Sequence, residues 1–302
     1  MRAFPIAIAL AASIAAVWPV ASAAQREIVM PTAEEIQKME EAAPDAAPVQ
    51  PAEPRKVLVW GRLPAHHPVP FCRKALEIVG GKTGAFEAVV SDDDSMLLPE
   101  NLRQFDALVM NNIHEREPFL PANFRELTQE QQAAAKERER KIQQSILDYV
   151  AGGKGIVGIH GAVAAMHSWQ EYGEMMGGYY GGHITQDVPI KLEAPDHPVN
   201  ACFEGKGFRI NDEIYILREP YSRERLRILL SLDLSQMADP GKRADRDYAI
   251  SWVREYGKGR VFYCSLGHVS ETYWNPLVLR HHLAGIQFAL GDLKADATPS
   301  GK

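Results

Sequence analysis

The chain has 302 residues, of which 46% are hydrophobic and 24% are charged, and its formal net charge at pH 7 is -6. These values are typical of a globular protein, and the acidic balance argues against nucleic acid as a partner, because nucleic acid selects a basic surface. After the first 23 residues no segment is apolar and long enough to span a bilayer, so no stable membrane insertion is expected. These values are equally compatible with a monomer and with a homo-oligomer.

The first 23 residues have the features of a secretory signal peptide. Arg2 supplies the positive charge, a short apolar run extends from Ala3 to Val20, and Ala21-Ser22-Ala23 matches the small-residue pattern that signal peptidase cleaves. We therefore predict a cleaved signal peptide over residues 1–23, a mature chain that begins at Ala24, and export to the periplasm. A retained membrane anchor is the alternative interpretation.

Residues 24–55 are rich in Ala, Pro and Glu and contain few bulky apolar side chains. Thr32 precedes acidic residues at capping positions, so a short helix is predicted from Thr32 to Ala43. The remaining residues, with their repeated prolines, predict an extended N-terminal arm. The main domain is predicted over residues 56–292, followed by a polar tail over residues 293–302.

Short apolar runs alternate with helical stretches in the first half of the main domain. The strands predicted there are Val57–Trp60, Ala85–Val90, Ala107–Met110 and Gly155–Ile159, and the helices are Phe71–Val79 and Thr128–Ala151. Continuous apolar strands separated by helices predict a parallel sheet that is covered on both faces. The second half is richer in strands, predicted at Val188–Leu192, Ile214–Leu217, Arg227–Leu230, Tyr248–Arg254 and Arg260–Cys264, before a helix at Pro276–Leu290. The sequence therefore predicts one α/β domain, a sheet with flanking helices and a strand-rich second half.

Histidines follow four of these strands at the point where each strand ends. The polar residues at these ends are His66, His67, Asn111, Asn112, His114, Glu115, His160, His268 and Glu271. Ligands of open α/β proteins bind beyond the carboxyl ends of the strands, so we expect these side chains to share a pocket. Imidazoles beside carboxylates suit either a divalent metal such as zinc or general acid–base chemistry near neutral pH. Compact metal signatures such as H-E-x-x-H are absent, so distant loops would have to assemble a metal site.

His160 lies in Gly158-Ile159-His160-Gly161-Ala162, where small residues flank one polar residue between a strand and a helix. This is the architecture of a nucleophile elbow, although a working nucleophile would be Ser or Cys. Gly161 either permits a tight turn and nothing more, or helps to build a site.

Two later segments also carry candidate side chains. Met176–His183 is rich in glycine and tyrosine and predicts a flexible loop, whose tyrosines either stack on sugar rings or belong to an ordinary turn. Alternation along Asn211–Tyr215 puts Glu213 and Tyr215 on the same face of a strand. Glu213 is then an acid, base or ligand, or it is a solvated carboxylate at a strand end.

The three cysteines are Cys72, Cys202 and Cys264. In an oxidising compartment an odd number leaves at least one thiol unpaired. A domain of this length can bury a core without disulfides, so we predict structural roles for all three and leave any single pairing open.

These motifs, in this order, resemble the ThuA-like (trehalose utilisation) family, which shares the flavodoxin-like fold of the class I glutamine amidotransferases. The resemblance covers about residues 56–292 and rests on Gly152–Ala162, Trp169 with Tyr172, Gly177–His183, Asp196–Pro198, Asp212–Tyr215, Tyr256–Tyr263, Leu266–His268 and Gly285–Gly291. It implies a pocket around the strand-end histidines. It also implies that the chain is no glutamine amidotransferase, because His160 stands where those enzymes have their elbow Cys.

The resemblance further implies a divalent metal, no nucleotide cofactor, and a sugar substrate related to trehalose that is processed as a 3-keto glycoside. It places metal ligands at His67, His114 and His160. Our catalytic candidates are His160, Glu213 and His268, and our candidates for substrate contacts are Asn112, Trp169, Tyr180 and His183. In the leading hypothesis His160 and His67 hold the metal or polarise the carbonyl, and Glu213 or His268 moves protons.

The leading hypothesis is thus an exported hydrolase, lyase or isomerase that acts on an oxidised sugar. One alternative is a non-catalytic carbohydrate-binding or assembly module that keeps the fold without the chemistry. A second alternative is a cysteine amidohydrolase, for which Cys72, close in sequence to His67, is the one supporting feature.

Overall fold

A computed structural model of the chain describes residues 28–63, 66–238, 241 and 243–301, so the predicted signal peptide lies outside the described residues. The helices are α1 Ala33–Ala42, α2 Val69–Thr83, α3 Pro99–Leu102, α4 Gln129–Ala151, α5 Gln170–Met176 and α6 Pro276–Leu290. The strands are β1 Lys56–Trp60, β2 Glu87–Ser91, β3 Ala107–Asn111, β4 Gly155–Ile159, β5 Tyr179–Leu192, β6 Phe208–Arg218, β7 Arg227–Leu232, β8 Ala249–Tyr256 and β9 Gly259–Cys264. Within the described ranges, no helix is both long enough and apolar enough to cross a bilayer.

All nine of these strands form one sheet, in the order β2-β1-β3-β4-β9-β8-β7-β5-β6. The first five are parallel to one another, and β8, β7, β5 and β6 extend the sheet with antiparallel pairs. The parallel half has the flavodoxin-like order, with β9 in the fifth place. The predicted α/β fold with a strand-rich second half is confirmed.

Helices cover both faces of the parallel half. In β1, Val57 and Val59 pack on the face covered by α1, α2 and α6, whereas Leu58 and Trp60 pack on the face covered by α3, α4 and α5. This alternation is expected of a strand, in which successive side chains point to opposite faces. The continuous apolar runs of the sequence therefore correspond to strands that are buried on both sides.

The glycine- and tyrosine-rich segment is not a flexible loop, and that prediction was wrong. From Tyr179 onward it belongs to β5, which pairs with β6 from Tyr179–Arg218 to Ile190–Phe208. The pairing shifts register between Tyr180 and Gly182, so the glycines accommodate an irregularity within the strand instead of ending it. The predicted strand, which began at Val188, is the C-terminal part of β5.

The helix predicted from Thr32 is confirmed as α1. The Thr32 hydroxyl accepts a hydrogen bond from the Glu35 amide, and the Glu35 carboxylate accepts one from the Thr32 amide, which completes a capping box. Met39 of α1 is fully buried, and Arg55 forms an ion pair of 2.6 Å with Asp292. The helix α1 and the end of the arm at Arg55 therefore pack against the sheet domain.

All three cysteines are free thiols; Cys72 and Cys264 are buried, and Cys202 is half-buried. Burial raises the pKa of each of these thiols to about 12. They are therefore protonated and unreactive at neutral pH, in agreement with the structural roles that we predicted.

Two adjacent histidines of α6 are fully buried. The His281 ring is bonded to the Ser251 hydroxyl at 2.8 Å and to the Val199 carbonyl at 3.2 Å. By contrast, neither ring nitrogen of His282 has a hydrogen-bond partner among the described residues. Burial lowers the pKa of His281 to about 3 and that of His282 to about 4, so both rings are neutral at pH 7.

We predict that His282→Leu stabilises the protein. At pH 7 the change removes two buried nitrogens that have no hydrogen-bond partner among the described residues. A buried donor or acceptor without a partner costs about 1–3 kcal/mol of stability. Since the pKa of His282 in the folded state is about 4, below its ordinary value of 6.5, the unfolded state binds more protons between these values. The free energy of unfolding of the wild type therefore falls as the pH falls through this range. That of the variant, which lacks this titrating group, falls less.

Urea denaturation at pH 7 and at acid pH measures both effects. The matched control is His114→Leu, which changes an exposed histidine and should leave the free energy of unfolding nearly unchanged. A His282→Leu variant that is no more stable than wild type, and equally acid-sensitive, would contradict the prediction.

Candidate metal centre

Four parallel strands end at the same edge of the sheet, and each delivers polar side chains to it. The strands β1, β3, β4 and β9 are neighbours in the sheet, in that order. His67, Asn112, His160 and His268 follow them in the chain. The structure brings the histidine rings together, with centroid separations of 4.7 Å between His67 and His160 and 5.2 Å between His160 and His268.

A cluster of four side chains, His67, His160, Glu213 and His268, lies at this edge; we call it the His/Glu cluster. Each residue offers one potential ligand atom, and these four atoms lie within 4.8 Å of one another. His160 Nε2 is 3.3 Å from His268 Nδ1, and Glu213 Oε1 is 3.7 Å from each of these nitrogens.

Backbone carbonyls fix the tautomer of two of these rings. The Nδ1 atom of His160 is 2.6 Å from the carbonyl oxygen of Ser265, and the Nδ1 atom of His67 is 3.3 Å from that of Asn112. A carbonyl accepts hydrogen bonds and cannot donate them, so we assign the proton to Nδ1 in both rings. The Nε2 lone pairs are then available to a ligand, which is the arrangement typical of metal-binding histidines.

Both rings are also neutral. Burial, reinforced by the neighbouring imidazoles, lowers the pKa of His67 to about 3 and holds that of His160 well below its ordinary value. A metal therefore does not have to displace a proton from either ring at neutral pH.

The backbone at His160 has the conformation of an elbow. Its φ angle is +44°, in the left-handed region that non-glycine residues rarely adopt, directly after β4. Its carbonyl accepts a hydrogen bond of 2.9 Å from the Tyr263 hydroxyl, which helps to hold this conformation. A Cβ atom on the next residue, Gly161, would lie 2.8 Å from His67 Nδ1. Gly161 therefore does more than permit the turn: the absence of a side chain there lets the His67 ring lie close to the His160 ring.

Glu213 reaches the cluster from the antiparallel half of the molecule. The amide of Tyr215 in β6 donates a hydrogen bond of 3.0 Å to the hydroxyl of Ser265, which directly follows β9. Glu213 and Tyr215 share one face of the strand as predicted, and the Tyr215 ring packs 4.3 Å from the His160 ring. The hairpin of β5 and β6 thereby returns over the ends of the parallel strands.

The second carboxylate oxygen of Glu213 points toward β5. Its Oε2 atom is 3.6 Å from His183 Nδ1 and 3.5 Å from the Thr185 hydroxyl. His183 is in turn bonded to the Tyr180 hydroxyl at 2.8 Å. Tyr180 and His183, two of the predicted substrate contacts, therefore lie beside the His/Glu cluster.

The other predicted site residues lie further out. His114 is exposed, with its ring 5.3 Å from that of His67, and it is outside the group of four. The Asn112 amide nitrogen donates to the Tyr273 hydroxyl at 2.7 Å, so this side chain braces the loop behind the cluster. Trp169 is buried and stacks on Tyr172 in the core, and the structure does not bring it to the cluster.

The donor set fits a divalent metal such as zinc. Zinc–ligand distances of about 2.0–2.2 Å in a tetrahedron correspond to separations of about 3.3–3.6 Å between ligand atoms. The separations of 3.3, 3.7 and 3.7 Å within the cluster are close to these values. Three imidazoles, with the proton of two rings directed away from the centre, are a suitable set of protein ligands, and the carboxylate of Glu213 lies beside them at the fourth position.

Comparisons with known proteins identify the family. The model of the ThuA family, described as trehalose utilisation, matches residues 56–289. The chain belongs to the ThuA family. A comparison with curated proteins gives no match.

Solved structures agree with this assignment of the fold. A ThuA-like protein of Bacteroides uniformis is 19% identical, with 82% of this chain and 93% of that chain covered and a TM-score of 0.57. A ThuA-like protein of Parabacteroides merdae is 16% identical, with 81% and 93% covered and a TM-score of 0.56. A cytoplasmic protein of Salmonella typhimurium is 13% identical, with 78% and 98% covered and a TM-score of 0.51. At these identities the similarity concerns the fold.

This ThuA-family protein lacks the elements of a cysteine amidohydrolase at the elbow. His160 occupies the elbow position, and the thiol of Cys72 is fully buried, with its pKa raised to about 12. Cys72 contacts the Tyr273 hydroxyl instead of a general base. The cysteine alternative therefore has no support from the geometry of the described residues.

Sequence reasoning missed the role of Asp212. This buried carboxylate accepts hydrogen bonds from the amides of Glu213, Gly267, His268 and Val269 and from the hydroxyl of Thr272. Burial raises the pKa of Asp212, while these hydrogen bonds act in the opposite direction by favouring its charged form. Asp212 therefore positions both Glu213 and His268, and an aspartate beside a glutamate in a strand gave no signal of this role.

We predict that Asp212→Asn loosens the loop that carries His268. Both oxygens of Asp212 accept hydrogen bonds, so the amide replaces one acceptor with an NH2 group that faces donors; a buried donor left without a partner costs about 1–3 kcal/mol. The free energy of unfolding should fall by about this amount. Hydrogen exchange at the amides of Gly267, His268 and Val269 should accelerate at least tenfold. The control is Asp187→Asn, an exposed aspartate of β5, and equal exchange in the two variants would refute the role of Asp212.

Proposed function

We propose that this protein is an exported, metal-assisted enzyme that acts on an oxidised glycoside. The substrate class is a 3-keto glycoside or a disaccharide related to trehalose, and the reaction is a hydrolysis or an elimination. The observation that carries the proposal is the His/Glu cluster: four ligand atoms within 4.8 Å of one another at the carboxyl edge of the sheet. The trehalose-utilisation description of the family supports the sugar.

In this proposal His67, His160 and His268 hold the divalent ion. Three protein ligands and one open position are the usual composition of a catalytic zinc site. When bound, the ion supplies Lewis-acid polarisation of the substrate ketone. The carbonyl of Ser265 keeps the His160 ring in the correct tautomer, and the carbonyl of Asn112 does the same for His67.

Glu213 moves the proton. In a 3-keto glycoside the carbon between the ketone and the glycosidic carbon carries an acidified C–H bond. Glu213 takes this proton, the C–H electron pair forms a carbon–carbon double bond, and the glycosidic carbon–oxygen bond breaks. The proton passes through His183, which is 3.6 Å from Glu213 Oε2, to the departing oxygen, so charge and atoms balance. Addition of one water molecule to the double bond completes a net hydrolysis.

The β5–β6 hairpin supplies the polar surface for the sugar ring. The hydroxyl of Thr185 and the ring of His183 lie beside Oε2 of Glu213, and the Tyr180 hydroxyl is hydrogen-bonded to that His183 ring. Tyr180 is only partly buried, and it stacks on the His183 ring, so its aromatic surface lies beside these polar groups and is accessible from solvent. The mixture of an aromatic face with hydrogen-bonding groups suits a hydroxyl-rich ligand.

Metal content and turnover of matched variants test the proposal. Protein purified without chelators or affinity-tag metals should contain about one divalent ion per chain, measured by elemental mass spectrometry. His160→Ala should lose the ion and all turnover of 3-keto-trehalose and methyl 3-keto-glucoside. Glu213→Gln should keep the ion and lose about 10²–10⁴-fold in kcat, because it removes the proton acceptor alone.

The control is His114→Ala, an exposed histidine beside the cluster, which should keep both the ion and the activity. Loss of the ion in Glu213→Gln would make Glu213 a ligand and refute its role as base. Wild-type protein that binds sugar but holds no metal and turns nothing over would identify a carbohydrate-binding module instead of an enzyme.

A further inference from the structure

Exposed apolar side chains are concentrated in one short segment of the described chain. Ile28, Val29 and Met30 are 46%, 64% and 61% exposed, and Val90 is the fourth large apolar residue of this kind among the described residues. Single exposed apolar side chains are common, but three in a row at one place indicate a surface that binds something.

The segment is held in a fixed position by the helix that follows it. The capping box of Thr32 starts α1 two residues after Met30. The helix packs against α2 and the 3-10 helix Ser270–Trp274, and its Met39 is fully buried. The Lys82 ammonium of α2 donates to the carbonyl of Ala43 at 2.8 Å, which ties the end of α1 to the domain. Residues 28–30 therefore directly precede a helix that is anchored to the domain.

Ile28 and Val29 line a cavity that reaches the His/Glu cluster. The cavity has a volume of about 630 Å³, and His67 and His268 of the cluster are also in its wall. Met30, the next residue, does not line it. Volumes of this size are typical of sites for small organic ligands.

Most of the residues that line the cavity are apolar: Ile28, Val29, Leu63, Pro68, Pro70, Phe71 and Val269. Its polar lining residues are the cluster histidines His67 and His268 together with His66, Ser270 and Glu271. On its other side the cluster faces the hydroxyls of the β5–β6 hairpin through Glu213. The cluster thus lies between a polar surface and an apolar one.

We infer that the N-terminal arm forms an aglycone subsite, and that among the 3-keto glycosides of the proposed function this site prefers those with an apolar leaving group, such as an aryl group, over disaccharides. The inference rests on the proposed function for the position of the sugar ring and names the group on the far side of the cleaved bond. A second sugar in this cavity would bring several hydroxyls against aliphatic carbon, where they would lose hydrogen bonds to water without replacement. An aryl group loses no hydrogen bonds to water in this cavity, and burial of its apolar surface against Ile28, Val29 and Phe71 stabilises the complex.

Binding of phenyl and methyl glucosides, each as the α and β anomer, tests the subsite on the full-length protein. Isothermal titration on the protein as purified measures affinity independently of catalysis, because these glucosides carry no ketone and are not converted. Wild type should bind one phenyl anomer at least tenfold more tightly than its methyl counterpart. Ile28→Ser/Val29→Ser should abolish this difference and leave the affinity for the methyl glucoside unchanged. Met30→Ser, an equally exposed neighbour outside the cavity, should retain it.

Three results would overturn the inference. The first is equal or absent binding of phenyl and methyl glucosides by wild type. The second is an equal loss of preference in Met30→Ser and in the double variant. The third is a dimer, measured by sedimentation, that the double variant loses while phenyl binding persists, since the segment would then be a contact between copies of the chain.

Turnover separates the failure of this inference from the failure of the proposed function. If phenyl preference depends on Ile28 and Val29 but no 3-keto glycoside is converted, the subsite stands and the proposed reaction fails. If methyl and phenyl 3-keto-glucosides are converted with equal kcat/KM in wild type and in the double variant, the reaction stands and the subsite fails.

Discussion

The hydrogen bond from the His160 ring to the carbonyl of Ser265 joins the ends of β4 and β9, and the arrangement of the site depends on it. With a length of 2.6 Å it selects the ring tautomer and turns Nε2 toward His268 and Glu213. The hydroxyl of Ser265 also accepts a hydrogen bond from the backbone amide of Tyr215, so the same residue anchors the β5–β6 hairpin. One residue after β9 thus sets the relation between the parallel half, the antiparallel half and the elbow.

The parallel half of the fold and the meeting of its histidines could be predicted from the sequence. Apolar strands separated by helices leave few arrangements for β1, β3 and β4, and residues that follow parallel strands must lie at one edge. His67, His160 and His268 are therefore assembled by connectivity, which the sequence pattern contains. His114 follows the same rule but lies on the exposed side of the loop after β3, because strand-end position does not fix the direction of a side chain.

The rest required tertiary information. The glycines of residues 177–182 are typical of a loop, yet pairing with β6 draws Gly181 and Gly182 into a strand, and no local signal contains that partner. Four of the five donors to Asp212 are present because the segment after β9 folds over it, a contact more than fifty residues distant in sequence. The position of Ile28 also depends on tertiary contacts. The composition of the arm does not show where Ile28 lies on the domain, because that position follows from the packing of α1.

The two halves of the sheet contribute different chemical functions to the cluster. The three imidazoles come from loops after the parallel strands β1, β4 and β9. The carboxylate comes from β6, the last strand of the antiparallel half of the sheet. A change in the length or sequence of that hairpin would replace the carboxylate while the imidazoles remain where they are. Under the function proposed above, affinity for an ion and the reaction carried out beside it could therefore change independently of each other.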